Sequence, residues 1–459
     1  MLFSSLTFLF FFFPGVIGIY LVLPKAWRIR FLLAASLVFY GWADVRYVFL
    51  MVFEILISWM IGRQIAKSEN PKRKYWLTAG CLIIVGLLIV FKYTDFLISF
   101  LNMMLPKPLG LLNIILPVGI SFYTFQILSY LADIYSGKEL PESSLMAYAC
   151  YISLFCQLIA GPIVRLSQIR ESLHNPETGW DQVYSGLLMF VCGLCKKVLL
   201  ANQLYGFCQM YLTAVHPSAV YAWMFALCNV LYIYFDFSGY SDMAIGLGKM
   251  LGFHFPANFN YPFTAGSVTE FWRRWHMSLT SWFKDYVYIP LGGSRVSRKR
   301  LALNLLAVWI LTGLWHGAAW NFVWWGLYFC GWILMEKLYP GRCRFWKPVR
   351  AVYTWVVVLI GFALFSLPGL DGFLTWIQCA FGMGSVFADA FSMYQIRNAA
   401  VLIVVSLIGC TKWPASFFRK MQAAEWGSLA AAVLAFAGWV FCLAFITGGS
   451  FNPFLYFRF

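Results

Sequence analysis

The stretch Arg298-Lys-Arg-Leu301-Ala-Leu-Asn-Leu-Leu-Ala-Val-Trp-Ile-Leu-Thr-Gly-Leu-Trp-His316 decides how the rest of the chain reads. A basic cluster, Arg295, Arg298, Lys299 and Arg300, is followed by a run that is almost wholly apolar until it reaches a histidine. Basic residues ahead of an apolar run mark a membrane helix whose start is cytoplasmic. At 1.5 Å per residue, Leu301 and His316 are separated by about 23 Å along a helix. His316 then sits deep in the membrane or near its outer half. An ionisable side chain at that depth is costly and is a functional candidate by default. The competing reading is a neutral histidine hydrogen-bonded to another helix. Gly313 and Gly317, four apart around His316, offer close approach to backbone or substrate.

The composition agrees with this reading. Of 459 residues 61% are hydrophobic and 11% charged, with 21 Trp, 25 Tyr and 45 Phe. Soluble chains hold about 45–50% apolar and about 25% charged residues. So few charges cannot cover a soluble surface, and the chain reads as an all-α polytopic membrane protein. Continuous rather than alternating apolar runs argue against a transmembrane barrel. The net charge of +16 follows from basic residues retained in short cytoplasmic loops. No motif points to nucleic acid.

Apolar runs lie near 6–23, 31–43, 46–62, 76–104, 115–135, 144–164, 183–200, 218–247, 301–316, 320–338, 351–368, 391–411 and 428–448. They amount to about 11–13 transmembrane or re-entrant helices. The pair 31–43 and 46–62 reads as a hairpin around Gly41-Trp-Ala-Asp44. The longest polar connections lie at 165–182 and 369–390. Met1-Leu-Phe-Ser-Ser, with no basic residue before the run, reads as the start of a first membrane helix rather than a removed signal. Basic clusters at 25–30, 63–74, 295–300, 337–350 and 412–420 should be cytoplasmic, which puts both chain ends outside. Between Lys74 and Arg295 five full spans are found, an odd number where parity needs an even one. A re-entrant or interfacial segment within 250–300 resolves this. Broken backbone at membrane depth must line protein or water, so a pocket is expected there. No internal repeat or soluble domain is visible, and 1–459 reads as one integral membrane domain.

Among the five histidines, His174 and His216 fall in polar sequence and His254 in a loop-like one. His276 lies in Ser267-Val-Thr-Glu-Phe-Trp-Arg-Arg-Trp-His276. Ser267 and Glu270 match a capping box, so a helix should start there, with Trp272 and His276 sharing a face. That amphipathic, aromatic stretch also suits plain anchoring at the membrane interface. Asp236 and Asp242 lie in an apolar segment, where a transporter would use them for ion coupling and a scaffold would bond them internally. The 12 cysteines read as small buried hydrophobes, although Cys192 and Cys195 form a CxxC ahead of Lys196-Lys197. No metal-ligand spacing is present, and no metal is expected.

Several stretches, in order, resemble the membrane-bound O-acyltransferase superfamily, within it the bacterial branch of alginate O-acetyltransferase. They are Pro117-Val-Gly-Ile-Ser-Phe-Tyr-Thr-Phe-Gln126, Ala160-Gly-Pro162, Phe235-Asp-Phe-Ser-Gly-Tyr-Ser-Asp242, Asn258-Phe-Asn260, Phe271-Trp-Arg-Arg-Trp-His276, Trp282-Phe-Lys-Asp-Tyr-Val-Tyr-Ile-Pro-Leu-Gly-Gly293 and Gly313-Leu-Trp-His-Gly317. The resemblance implies a ring of tilted helices around a thinned centre, with a family core at about 115–338. It implies a catalytic His316 and a second family histidine, His276. The ending Phe454-Leu-Tyr-Phe-Arg-Phe459 resembles a terminal motif of bacterial envelope acylation systems, which makes Tyr456 a candidate acyl relay; the plain alternative is an aromatic anchor.

The function so implied is acetyl transfer from cytoplasmic acetyl-CoA to an extracytoplasmic envelope polysaccharide, alginate-like, peptidoglycan or another exopolymer. The setting is the bacterial inner membrane, with an external hydrolase-like transferase as partner. His316 would act as general base, and His276 would stabilise an oxyanion or orient the acceptor. Rival readings are a donor such as a D-alanyl carrier protein, a lipid O-acyltransferase, or a transporter built on Asp236 and Asp242. The residues that bind the donor are not identifiable from the sequence, although the cluster at 295–300 could attract CoA phosphates.

Overall fold

The helix behind the basic cluster begins where Ser297 accepts the Arg300 backbone N–H on its Oγ, at 3.4 Å. It runs over Arg298–His316 and stops at Gly317, whose backbone is extended. Trp320–Leu338 then returns alongside it. Two glycines set how closely this pair packs. A Cβ on Gly313 would lie 2.3 Å from the Phe322 carbonyl oxygen, and one on Gly326 would lie 2.3 Å from that of Trp309. Small residues at helix contacts let membrane helices approach backbone to backbone.

The computed structural model describes residues 1–214, 217–339 and 346–449. The described residues are helical, with no strand among them. Among the described residues seven helices are long and apolar enough to cross a membrane: Arg46–Lys67, Lys72–Asn102, Trp180–Leu212, Ala219–Met250, Pro348–Ser366, Ala390–Gly409 and Gly427–Thr447. The shorter apolar helix Phe8–Val22 matches the expected run at 6–23, and the runs at 301–316 and 320–338 form the helices Arg298–His316 and Trp320–Leu338, which are not among the seven. The chain is a polytopic all-α membrane protein.

Two compact units divide the chain, one of residues 1–190 with 241–256, the other of 191–240 with the residues from 257 on. In the first unit the expected hairpin is present as Lys25–Gly41 and Arg46–Lys67. The expected span at 115–135 starts only at Ile120, because Pro117 and Gly119 (φ +77°) precede it. The expected span at 144–164 is broken: its helix ends at Ser153, and Leu154 leaves the helical region with ψ 113°. The Phe155 N–H there bonds Ser36 Oγ, at 3.2 Å, instead of continuing the helix. The connection at 165–182 is also less irregular than expected, since it holds the amphipathic helix Leu166–His174.

The second unit carries the helix pair around His316, the helices Lys347–Ser366, Ala390–Gly409 and Gly427–Thr447, and the short helices of the 257–288 stretch. Its connection at 369–390 likewise begins with a helix, Gly369–Ala380. Between 257 and 300 no element is long enough to span alone, as the sequence predicts. The pieces are Pro262–Thr264, Val268–Arg274 and Met277–Phe283, the last continuing as a π-helical turn to Tyr288.

Candidate active site

The Val268–Arg274 helix starts as its capping box predicts. Ser267 Oγ accepts the Glu270 N–H at 3.0 Å, while the Glu270 carboxylate takes the Gly266 N–H at 2.9 Å. A second carboxylate reinforces this start. Glu336, from the Trp320–Leu338 helix, accepts the N–H groups of Val268 and Thr269 at 2.7 and 2.8 Å. It also accepts the Thr269 and Tyr353 hydroxyls, at 2.5 and 3.2 Å. The helix carrying Trp272 is thereby tied to the one that packs against His316.

The predicted continuous helical face from Trp272 to His276 is not formed. The helix ends at Arg274, Trp275 is extended, and His276 adopts φ 43° and ψ 55° before a new helix starts at Met277. The competing partner is the segment at 258–260. The Met277 N–H goes to the Asn258 carbonyl and the Asn260 N–H to that of Arg274, both at 2.9 Å. Nor does the stretch lie on the surface as an interfacial anchor. Phe271, Trp272, Trp275 and His276 are all buried, His276 to 1% exposure.

His276 and His316 line one cavity of about 500 Å³, together with Trp272, Thr280, Trp309 and Thr312. The indole of Trp315 stands near both, 5.7 Å from the His276 ring and 4.9 Å from that of His316. Trp325 and Phe365 face His316 edge-on at 5.2 and 5.3 Å. His276 lies outside the seven spans. Burial holds its pKa well below the usual histidine value, with His316 nearby adding to the effect. Arg273, Lys284 and Lys337 line the same cavity, and Lys337 Nζ donates to Tyr288 Oη at 3.1 Å. The sequence gives these cations no shared role: Arg273 stands beside Arg274 in the aromatic motif and Lys337 opens the basic cluster at 337–350, and only the fold collects them with Lys284. The two glycines flanking His316 serve the protein's own packing. A Cβ on Gly317 would come within 2.1 Å of the Phe322 ring.

A second cavity of about 480 Å³ is lined by Tyr205, Gln209, Asn229, Asn321, Phe322, Phe365 and Ser366, among others. Phe365 therefore faces His316 and borders this chamber as well. Aromatic rings with amide and hydroxyl groups suit a polar, hydroxyl-bearing molecule.

The remaining sequence candidates lie elsewhere. The buried Asp236 carboxylate is met by Lys197 Nζ, itself buried, within the second unit. Asp242 belongs to the first unit. His174 is half exposed and lies 3.1 Å from Glu142; His254 is exposed. Cys195 meets Cys442, with the sulfurs 3.7 Å apart. No group of His, Cys, Asp and Glu that could hold a metal occurs among the described residues. His216 and the proposed relay Tyr456, with the rest of Phe454–Phe459, lie outside the described residues.

A family model for MBOAT, the membrane-bound O-acyltransferase family, matches residues 134–375. The chain is 34% identical to a probable alginate O-acetylase, AlgI, of Azotobacter vinelandii, over all of both chains. It is 30% identical to a peptidoglycan O-acetyltransferase of Helicobacter pylori, over all of this chain and 98% of that one. More distantly, it is 28% identical to a teichoic acid D-alanyltransferase of Bacillus subtilis, over 55% of this chain and 69% of that one. The chain belongs to the membrane-bound O-acyltransferase family and is an acyltransferase enzyme.

Proposed function

We propose that this protein moves acetyl from cytoplasmic acetyl-CoA to a hydroxyl of an extracytoplasmic envelope polysaccharide, in the inner membrane of a bacterium. One observation carries the reading. Two buried histidines share a cavity with Arg273, Lys284 and Lys337, in a chain aligned end to end with an alginate and a peptidoglycan acetylating enzyme. The cations suit the phosphates of CoA, as they would those of any phosphorylated thioester donor.

His316 acts as general base. Its imidazole takes the proton of the acceptor hydroxyl as that oxygen attacks the thioester carbonyl carbon. A neutral imidazole is basic enough to take this proton, whereas a hydroxyl does not ionise unaided at neutral pH. The tetrahedral intermediate then expels the thiolate, which takes the proton back from the imidazolium. The chamber beyond Phe365 is the acceptor's side of the reaction. In the relay the Tyr456 phenol is that first acceptor: it gives its proton to His316 and takes the acetyl as a phenolic ester, and an external hydrolase-like transferase then moves the acetyl from it to a polymer hydroxyl.

The test uses membranes from cells expressing wild type, His316→Ala and Tyr456→Phe, supplied with radiolabelled acetyl-CoA and envelope polysaccharide. Wild type should transfer label, and His316→Ala should lose about 10²–10⁴-fold, the range for a removed general base. Label on the protein that disappears in Tyr456→Phe supports the relay. Polymer labelling that survives in Tyr456→Phe removes the relay and keeps the transferase. Transfer from a D-alanyl carrier protein but not from acetyl-CoA would assign the donor of the more distant relatives.

A further inference from the structure

The orientation of the His276 ring can be read from its neighbours. The Ser278 backbone N–H and the Ser278 hydroxyl both reach Oδ1 of Asn258, at 3.3 and 2.9 Å. A backbone N–H can only donate, so the atom it faces is the amide oxygen and the Asn258 amide is not flipped. That same oxygen lies 3.1 Å from His276 Nδ1. An amide oxygen can only accept, so Nδ1 carries the hydrogen. The Ser278 hydroxyl is also 3.5 Å from Nδ1, at the outer limit of a hydrogen bond, and its shorter contact is to Asn258.

With Nδ1 protonated, a neutral ring has only a lone pair at Nε2. Nε2 is buried without a hydrogen-bond partner among the described residues, and the ring lines the cavity it shares with His316. A buried acceptor left unmatched costs stability, and so does a left-handed backbone at a residue other than glycine. His276 carries both costs, as a group does when its partner is a substrate.

We infer that Asn258 is a positioning residue that holds His276 as its Nδ1–H tautomer, so that Nε2 accepts a hydrogen bond from an N–H or O–H of the bound substrate. The inference rests on the acyl-transfer reading and sharpens it. The donor of that bond is either the amide N–H of the thioester's pantetheine arm or the hydroxyl-bearing acceptor. A neutral ring so held has no hydrogen to offer an oxyanion, and the oxyanion must be stabilised by other groups.

The charged and titratable groups sharing the cavity are His316, Arg273, Lys284, Tyr288 and Lys337, while Phe237 and Trp315 cover the ring. None of these changes in Asn258→Asp, which places a carboxylate against Nδ1–H and favours the imidazolium. An adjacent opposite charge raises a histidine's pKa by about 1–3 units. The imidazolium has no lone pair at Nε2. Substrate binding should therefore be lost as pH falls through the raised pKa and return at higher pH.

The experiment measures acetyl transfer against pH with donor and acceptor varied separately. In Asn258→Asp the acid limb of the KM profile should move up by about one unit or more. A rise in the donor's KM identifies the amide as partner, and a rise in the acceptor's KM identifies the hydroxyl. His276→Gln, which keeps an acceptor, should stay within about tenfold of wild type, the worth of one hydrogen bond, while His276→Leu falls further. An unmoved acid limb in folded Asn258→Asp, or His276→Gln no better than His276→Leu, overturns the proposal. Histidine-¹⁵N NMR of the full chain reads the tautomer without turnover, so it holds even if acetyl-CoA proves the wrong donor. A protonated Nδ1 and bare Nε2 at His276 are expected, and the reverse overturns the proposal.

Discussion

His316 and His276 meet at one cavity, yet they are held there by different means. His316 ends a regular helix whose place is set by backbone packed against backbone, at Gly313 and Gly326. His276 sits in a break between two seven-residue helices, where Asn258 accepts from its ring and, at the far end of the preceding helix, Glu336 accepts backbone N–H groups. Steric contacts resist change abruptly, because a side chain either fits or does not. Hydrogen bonds fail in increments, about 0.5–1.5 kcal/mol for neutral pairs and about 1.5–3 when one partner is charged. The two histidines should therefore respond differently to mutation around them.

Gly326→Leu should have the largest effect. Its Cβ would lie 2.3 Å from the Trp309 carbonyl oxygen, a clash that no rotamer relieves. The helix carrying His316 is forced away, at a cost of about 3 kcal/mol, the upper end for an overpacked core. Folded protein in membranes, followed by fluorescence-detected size exclusion, should fall sharply together with activity. Wild-type amounts of stable protein would show that the close helix contact does not hold His316 in place.

Glu336→Gln should come second. It keeps the shape but replaces one carboxylate oxygen with an amide that cannot accept the N–H of Val268 or Thr269. A loss of about 2 kcal/mol is expected, within the range for hydrogen bonds to a charged group. It should appear as a lower melting temperature in detergent and as reduced transfer. The helix pair carrying His316 should persist, read by protease protection of the Arg298–Leu338 region. Unchanged stability and activity would separate Glu336 from the placement of His276.

The smallest effect belongs to Lys284→Ala, which touches neither support. Lys284 is an exposed cation lining the cavity. Its loss should raise the donor KM by about 2- to 5-fold at low salt, in keeping with the modest worth of exposed charge pairs, and less as salt screens the attraction. Lys299→Ala, in the exposed 295–300 cluster, should leave that KM within about twofold if the cluster serves topology alone. The reverse order would move donor attraction from the cavity to the cluster.

The helices 298–316, 320–338, 390–409 and 427–447 all lie within a few residues of their apolar runs. Length and hydrophobicity are properties of consecutive residues, and a membrane helix satisfies its own backbone. His316 stood out for the same reason, as a titratable group at the end of such a run. His276 was visible as a histidine in an aromatic motif, but its helix was predicted to continue through it. The break depends on Asn258, 18 residues earlier, and nothing in the local sequence pairs the two. The Lys197–Asp236 pair joins residues 39 apart, so the acid that looked available for ion coupling already has a cation. Arg273, Lys284 and Lys337 became a group only when three segments closed around one cavity. The extent of these helices and the position of His316 at the end of one were thus set along the chain, where hydrophobic length acts locally. The tautomer of the other, the partner of a buried acid and the charge lining the cavity were settled only by folding, because each depends on hydrogen-bonding and charged groups that packing brings together from distant parts of the sequence.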